Sequence, residues 1–256
     1  MIFNLIRKAF IACLICVFVS SCVSKKEVVY FQNAKDFETI VDTDTFNTRF
    51  KVSDIVTIFI STFDLEAVKP FNLFIEGGAR NGQPQLIDYI IDVDGNIDFP
   101  VLGKIKLLGL TVQEAQDLFK DKLSLYLKDP IINIRITNFR ISVIGEVRSP
   151  GNYQVVGERI SILEALALAG DLNIKAQREN LLVIRDFNGT KTYTRVDLTS
   201  KELFNSPVYY LTQNDVIYVE PNNSAVSSAS GDTRIGTIIS ISSFLITTAL
   251  IFVTRN

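Results

Sequence analysis

The sequence predicts an α+β fold with a C-terminal transmembrane helix, and three observations carry that prediction. Alternating, β-branched segments recur through the middle, as at Val52, Ile55, Ile58 and Ile60 and again at Ile132, Ile134 and Ile136. Two capping boxes, Thr111 to Glu114 and Ser161 to Glu164, open short helical patterns between the strands. A charge-free hydrophobic run, Ile235 to Val253, closes the chain. Strands mixed with a few short helices are the order of an α+β protein.

The elements follow in chain order. Residues 23–48 have mixed charge and little periodicity and read as a tether, with a strand at Val28 to Phe31. Phe50 to Ser61 reads as a strand, and residues 76–85 as a Gly/Asn/Pro loop. Leu86 to Val93 and Asn96 to Val101 read as a hairpin around Asp94-Gly95, because such a tight turn needs positive φ. Thr111 opens a helix with Val112, Ala115, Leu118, Phe119, Leu123 and Tyr126 on one face. It should stop before Asp129-Pro130, since proline disfavours helical geometry in the preceding residue. Ile131 to Thr137 and Arg140 to Val147 are strands, and Ser149-Pro150-Gly151 is a turn. Ser161 opens a second helix that Gly170 closes. Leu181 to Asp186 and Thr190 to Asp197 flank Asn188-Gly189 as a second hairpin, and Val208 to Leu211 and Val216 to Val219 are short strands. Glu220 to Asp232 is small and polar and reads as a linker. Ser53 to Ile58 faintly echoes Asn214 to Val219, as a duplicated module or as a shared way of opening a strand.

Both ends point to a membrane. Met1 to Lys8 is short and basic, Ala9 to Val19 is apolar, and Ser20-Ser21 precede Cys22, which is the layout of a signal peptide. A cysteine after that small pair resembles a lipoprotein lipobox, in which Cys22 would be acylated. A plain signal peptide would leave Cys22 unexplained, and the run is short for a span of about 20 residues. As a helix, Ile235 to Val253 would be roughly 28 Å long, close to the hydrocarbon thickness of a bilayer. Arg234 and Arg255 bracket it, and Gly236, Ser240, Ser243 and Thr247 form a stripe of small and polar groups. That stripe suits a helix–helix interface or a ring of helices around a lumen. A lone anchor or a buried core helix are the other readings.

Composition narrows the chemistry. The 256 residues hold 26 basic and 28 acidic side chains, and without Arg7 and Lys8 the balance is 24 to 28. No basic patch points to nucleic acid. Of the three cysteines, Cys13 and Cys16 lie in the predicted signal, so a mature chain would keep Cys22 alone and could form no internal disulfide. Histidine is absent, which removes His-based catalysis and His-ligated metal sites. Asp92 to Asn96 fails the EF-hand spacing, and Gly77-Gly78 and Gly103 lack a following Gly-Lys-Ser/Thr. Tyr209-Tyr210 could stack on a sugar, although alternation should bury one of them. No carboxylate pair nominates itself for catalysis. The expectation is a non-enzyme with no metal and no cofactor.

Longer stretches resemble a known family. Asp92-Val-Asp-Gly-Asn-Ile-Asp-Phe-Pro-Val-Leu-Gly103, Gly109-Leu-Thr-Val-Gln-Glu114 and Tyr126-Leu-Lys-Asp-Pro130 are similar to the polysaccharide export domain of outer-membrane export lipoproteins of the Wza type. Val143 to Tyr153 and Ile162 to Gly170 resemble the soluble-ligand-binding β-grasp (SLBB) module that follows it in that family. Asn72 to Gly78 is similar to versions found in Bacteroidetes. The resemblance implies a signal peptide at 1–21, a lipid-anchored tether at 22–43, an export domain at 44–138 and a β-grasp domain at 139–221. A linker at 222–234 and a transmembrane helix at 235–253 complete the layout. It further implies a ring-shaped homo-oligomer, octameric in the best-known members, with periplasmic soluble domains and an outer-membrane helical barrel. Capsular or extracellular polysaccharide would pass through its lumen, delivered by an inner-membrane chain-length and tyrosine-kinase-type partner. The alternative is a lipid-anchored module that binds a glycan or small ligand without forming a pore.

Overall fold

The structure is a computed structural model, and it describes residues 28–35, 47–75, 84–187, 189–229, 236, 239–244 and 247–248. The predicted signal peptide, Cys22 and most of the tether lie outside the described residues.

The first unit runs through β1 (Ile55–Ser61), the short pair β2 (Phe74–Ile75) and β3 (Gln85–Leu86), β4 (Asp88–Ile90), the hairpin β5 (Asn96–Phe99) and β6 (Gly103–Lys106), helix α1 (Val112–Leu123) and β7 (Ile131–Ile136). Strand β1 lies between β4 and β7, antiparallel to both. Its alternation does what period two requires: Val56, Ile58 and Ile60 are buried, while Thr57 and Phe59 face outward. Helix α1 is capped by the predicted Thr111–Glu114 box, with both reciprocal bonds formed. Its residues Ala115, Phe119 and Leu123, four apart, are fully buried on the inner face of β7. Phe119 meets Phe99 edge-on at 4.9 Å between ring centroids.

The second unit begins at Phe139. It contains β8 (Arg140–Gly145), β9 (Gly151–Gln154), β10 (Ile160–Ser161), α2 (Ile162–Leu168), β11 (Leu181–Phe187), β12 (Thr190–Val196), β13 (Tyr210–Leu211) and β14 (Val216–Val219). Five strands form one sheet in the order β12-β11-β14-β8-β9. The central pair β8 and β14 is parallel and its neighbours are antiparallel. A parallel pair needs a long crossover, here the stretch that carries α2. Helix α2 has its own complete capping box and buries Ile162, Ala165 and Leu166 in the second core. That core is separate from the core of the first unit.

Several sequence expectations change. Leu86 to Val93 is not one strand paired with Asn96 to Val101. The Asp92 carboxylate accepts the Asp94 and Asn96 amides and forms a turn, after which β4 pairs with β1 and β5 pairs with β6. The first strand begins at Ile55 rather than Phe50, because Ser53 has a left-handed backbone (φ 68°). Helix α1 stops at Leu123, where the Ser124 hydroxyl donates to the Asp121 carbonyl. Val28 to Phe31 is not a strand. Part of the expected linker is helix α3 (Asn223–Ala229), started by the Asn222 side chain accepting from the Ala225 amide. Among the described residues no helix is long and apolar enough to cross a membrane. Within 235–253 the described positions are helical, and the others lie outside the described residues.

Candidate functional site

The two units meet at a joint made of two matching turns. In the first, residues 51–54, the Asp54 amide donates to the Lys51 carbonyl and the Asp54 carboxylate accepts from the Lys51 amide at 2.8 Å. In the second, residues 212–215, Asp215 makes the same two contacts with Thr212. Each turn has a left-handed third residue, Ser53 (φ 68°) and Asn214 (φ 66°), and each feeds a strand, β1 and β14. The echo in the sequence is therefore a shared strand-opening turn.

The turns also touch each other. The Lys51 ammonium crosses to the Thr212 hydroxyl at 2.9 Å and to the Asp186 carbonyl at 3.3 Å. Burial lowers the Lys51 pKa, an effect that the Asp215 charge opposes. Asn138, between the units, donates to the Ser53 carbonyl and accepts from the Ile55 amide. Gln213 donates to the Asn138 carbonyl at 2.6 Å and accepts from the Arg140 amide at 2.7 Å. Asp215 is fully buried against Arg185, whose guanidinium reaches both carboxylate oxygens. This density of side-chain bonds to backbone makes the joint stiff rather than hinge-like.

Beside the joint lies a cleft of two adjoining cavities, of about 430 and 460 Å³. Both reach Thr48, Val112 and Glu158, so the start of α1 forms one wall and the segment after β9 the other. The first cavity is lined mainly by apolar groups, and the second mainly by polar ones, with glutamine and threonine side chains in both.

The N-terminal segment docks on the second unit. The Phe31 and Gln32 amides donate to the Leu198 and Thr199 carbonyls, and Phe31 stacks on Phe204 with centroids 5.2 Å apart. The Tyr30 hydroxyl donates to Asp171 at 2.6 Å, and its ring packs against the buried Arg178 guanidinium. Burial first, and the Asp171 carboxylate second, push the Tyr30 pKa above its usual range. Helix α3 starts nearby: the Asn222 amide bonds to the Lys175 carbonyl and the Gln177 amide to the Glu220 carbonyl.

The residues singled out from sequence lie apart from this joint. Cys22 is outside the described residues. Gly236, Ser240, Ser243 and Thr247 are exposed and helical, and the three hydroxyls donate to carbonyls of the preceding turn. Tyr209 packs on Phe204 and Tyr210, and Arg159 covers the Tyr210 ring at 5.0 Å. Among the described residues no acidic or cysteine cluster could hold a metal ion. Sequence reasoning missed Lys51, Asn138, Arg185 and Gln213. The echo of the two turns was the one signal that marked their neighbourhood.

Residues 43–137 match the family described as polysaccharide biosynthesis/export protein. That match covers the first unit. The EPS I polysaccharide export outer membrane protein EpsA of Ralstonia solanacearum is 31% identical over 134 residues, covering 49% of this chain and 35% of that protein. The capsule polysaccharide export outer membrane protein CtrA of Neisseria meningitidis is 23% identical over 150 residues, covering 57% of this chain and 37% of that protein. The chain thus spans little more than a third of the length of these curated relatives. The joint straddles the end of the matched segment: Lys51 to Asp54 lie within it, and Asn138 and Gln213 lie beyond it.

Proposed function

We propose that this chain is an outer-membrane polysaccharide export lipoprotein, whose copies assemble into a channel for capsular or extracellular polysaccharide. The match of residues 43–137 to the export family carries the reading. The names of the relatives, export proteins of the outer membrane, support the compartment and the cargo. In this reading Cys22 is acylated and the soluble units (export domain at 44–138, β-grasp domain at 139–221) lie in the periplasm. The helix at 235–253 joins those of neighbouring copies in the membrane. The homo-oligomer receives polymer from an inner-membrane chain-length and kinase-type partner. The work is conduction, and no bond is made or broken.

The docked N-terminal segment fits this topology. Five residues lie between Cys22 and Val28, so the two are at most about 20 Å apart in extended chain. A lipid at Cys22 therefore holds the second unit close to the membrane, on the unit from which α3 also leaves. Hydroxyls already bonded within the last helix reduce the cost of placing that helix in hydrocarbon.

The test is a strain carrying the protein without residues 235–256. Export should stop while the truncated protein still accumulates as a folded lipoprotein. Normal surface polysaccharide in that strain would sink the reading.

A further inference from the structure

We propose that the cleft between the two units is a saccharide-binding site that holds a short segment of the exported polymer. This inference rests on the export reading above and adds to it a place on each protomer where polymer is contacted.

The cleft has the chemistry of a sugar site. A pyranose has apolar faces and a rim of hydroxyls that both donate and accept. The lining offers apolar Val112 and Ile136 beside polar Thr48, Gln113, Gln116 and Gln154. Primary amides carry a donor and an acceptor on one planar group, which matches a pair of adjacent hydroxyls. Two of these amides are already oriented: Gln113 donates to Asp117 at 3.2 Å and Gln154 donates to the Thr137 carbonyl at 3.1 Å. Among the described residues the amide oxygen of each then has no donor, and the Gln116 side chain makes no hydrogen bond.

Charge separates a sugar from other ligands. Arg135 and Arg159 reach the cleft, but Glu158 lines both cavities, and Arg159 is drawn over the Tyr210 ring. A phosphate-rich ligand would meet little net positive charge there. Each cavity is within the range of about 300–1,000 Å³ that takes a small ligand. The joint beside the cleft keeps its two walls at a fixed separation, so the site is formed before the ligand arrives. A channel needs such contacts to be weak enough to release their cargo.

The test is calorimetric titration of the full-length protein in mild detergent. The probe is the oligosaccharide mixture from partial hydrolysis of the host's own surface polysaccharide. Saturable binding in the millimolar range is expected. Val156→Trp at the mouth of the cleft and Gln116→Trp within it should each weaken binding at least tenfold. Asn133→Trp, on the outer face of the β7 sheet, should leave it unchanged. Val156 is fully exposed, so its substitution leaves folding intact. Absence of binding, or binding that both cleft variants leave unchanged, overturns the proposal. A gene deletion read in parallel separates the two claims. Lost surface polysaccharide without cleft binding overturns the site alone, and retained polysaccharide overturns the export reading and the site with it.

Discussion

Asp54 and Asp215 hold the same position in the same turn, yet only Asp215 faces a guanidinium. Both side chains are essentially buried. Asp215 takes two contacts from Arg185 Nε, one from Arg185 Nη2 and one from the Thr212 amide. One oxygen of Asp54 accepts the Lys51 amide, and among the described residues the other has no hydrogen-bond partner. The turn is thus built twice with the same backbone and two different electrostatic solutions.

The unpaired oxygen predicts a pH dependence. Burial pushes the Asp54 pKa up from 3.8 to about 6, partly opposed by its bond to the Lys51 amide. A folded-state pKa above the unfolded value means that the folded state binds the proton more tightly. The contribution of Asp54 is therefore fully favourable below about pH 4 and is lost as pH rises through 6. The size is roughly 3 kcal/mol at most. Asp54→Asn, measured by thermal unfolding across pH 4 to 8, should raise Tm most at pH 8 and least at pH 4. An equal shift at every pH would refute the assignment.

The paired residue behaves oppositely. Asp215→Ala leaves Arg185 buried against no carboxylate and should cost about 3–5 kcal/mol in denaturant unfolding. Adding Arg185→Met should recover part of that loss, because no buried charge then remains unpaired. A double variant less stable than Asp215→Ala would show that the ion pair is not the source of the cost.

Gly145 ends β8 with φ 94°, and a Cβ there would lie 2.0 Å from the Val219 carbonyl oxygen. Gly145→Ala must push β8 and β14 apart at the parallel pair that centres the second sheet. We expect a loss of about 3 kcal/mol or more, with unfolding of the second unit as the visible result. Circular dichroism with chemical denaturation measures it.

The N-terminal segment should undock when its anchor is trimmed. Tyr30→Phe removes the bond to Asp171 and should loosen the segment by about 1 kcal/mol. Limited proteolysis of the full-length protein should then cut within residues 28–35 several-fold faster, with the global Tm nearly unchanged.

Much of the architecture was legible where local physics is strong. Both capping boxes form as read, because Thr111 and Ser161 each meet a glutamate three residues later, within reach of one helical turn. The alternation of β1 and β7 survives, since one face of each packs on α1. Strands β11 and β12 pair antiparallel, as the expected hairpin requires, with Phe187 opposite Thr190. Pairing choices were not legible. Asp94-Gly95 signals a turn correctly, but which strand then pairs with β4 depends on β1, more than 30 residues upstream. The joint was hidden for the same reason: Lys51 meets Thr212 across 161 residues, and neither has a local signature. The cleft was hidden because glutamines and threonines scattered from 48 to 154 mean nothing until the fold gathers them.

The central claim is an oligomeric export channel, and particle shape tests it most directly. Full-length protein extracted in mild detergent would be imaged by negative stain and its mass measured by light scattering. The account predicts a closed ring whose membrane-side crown disappears when residues 235–256 are deleted. A monomer at every concentration would contradict it, since a single chain of this fold has no walls to enclose a polymer.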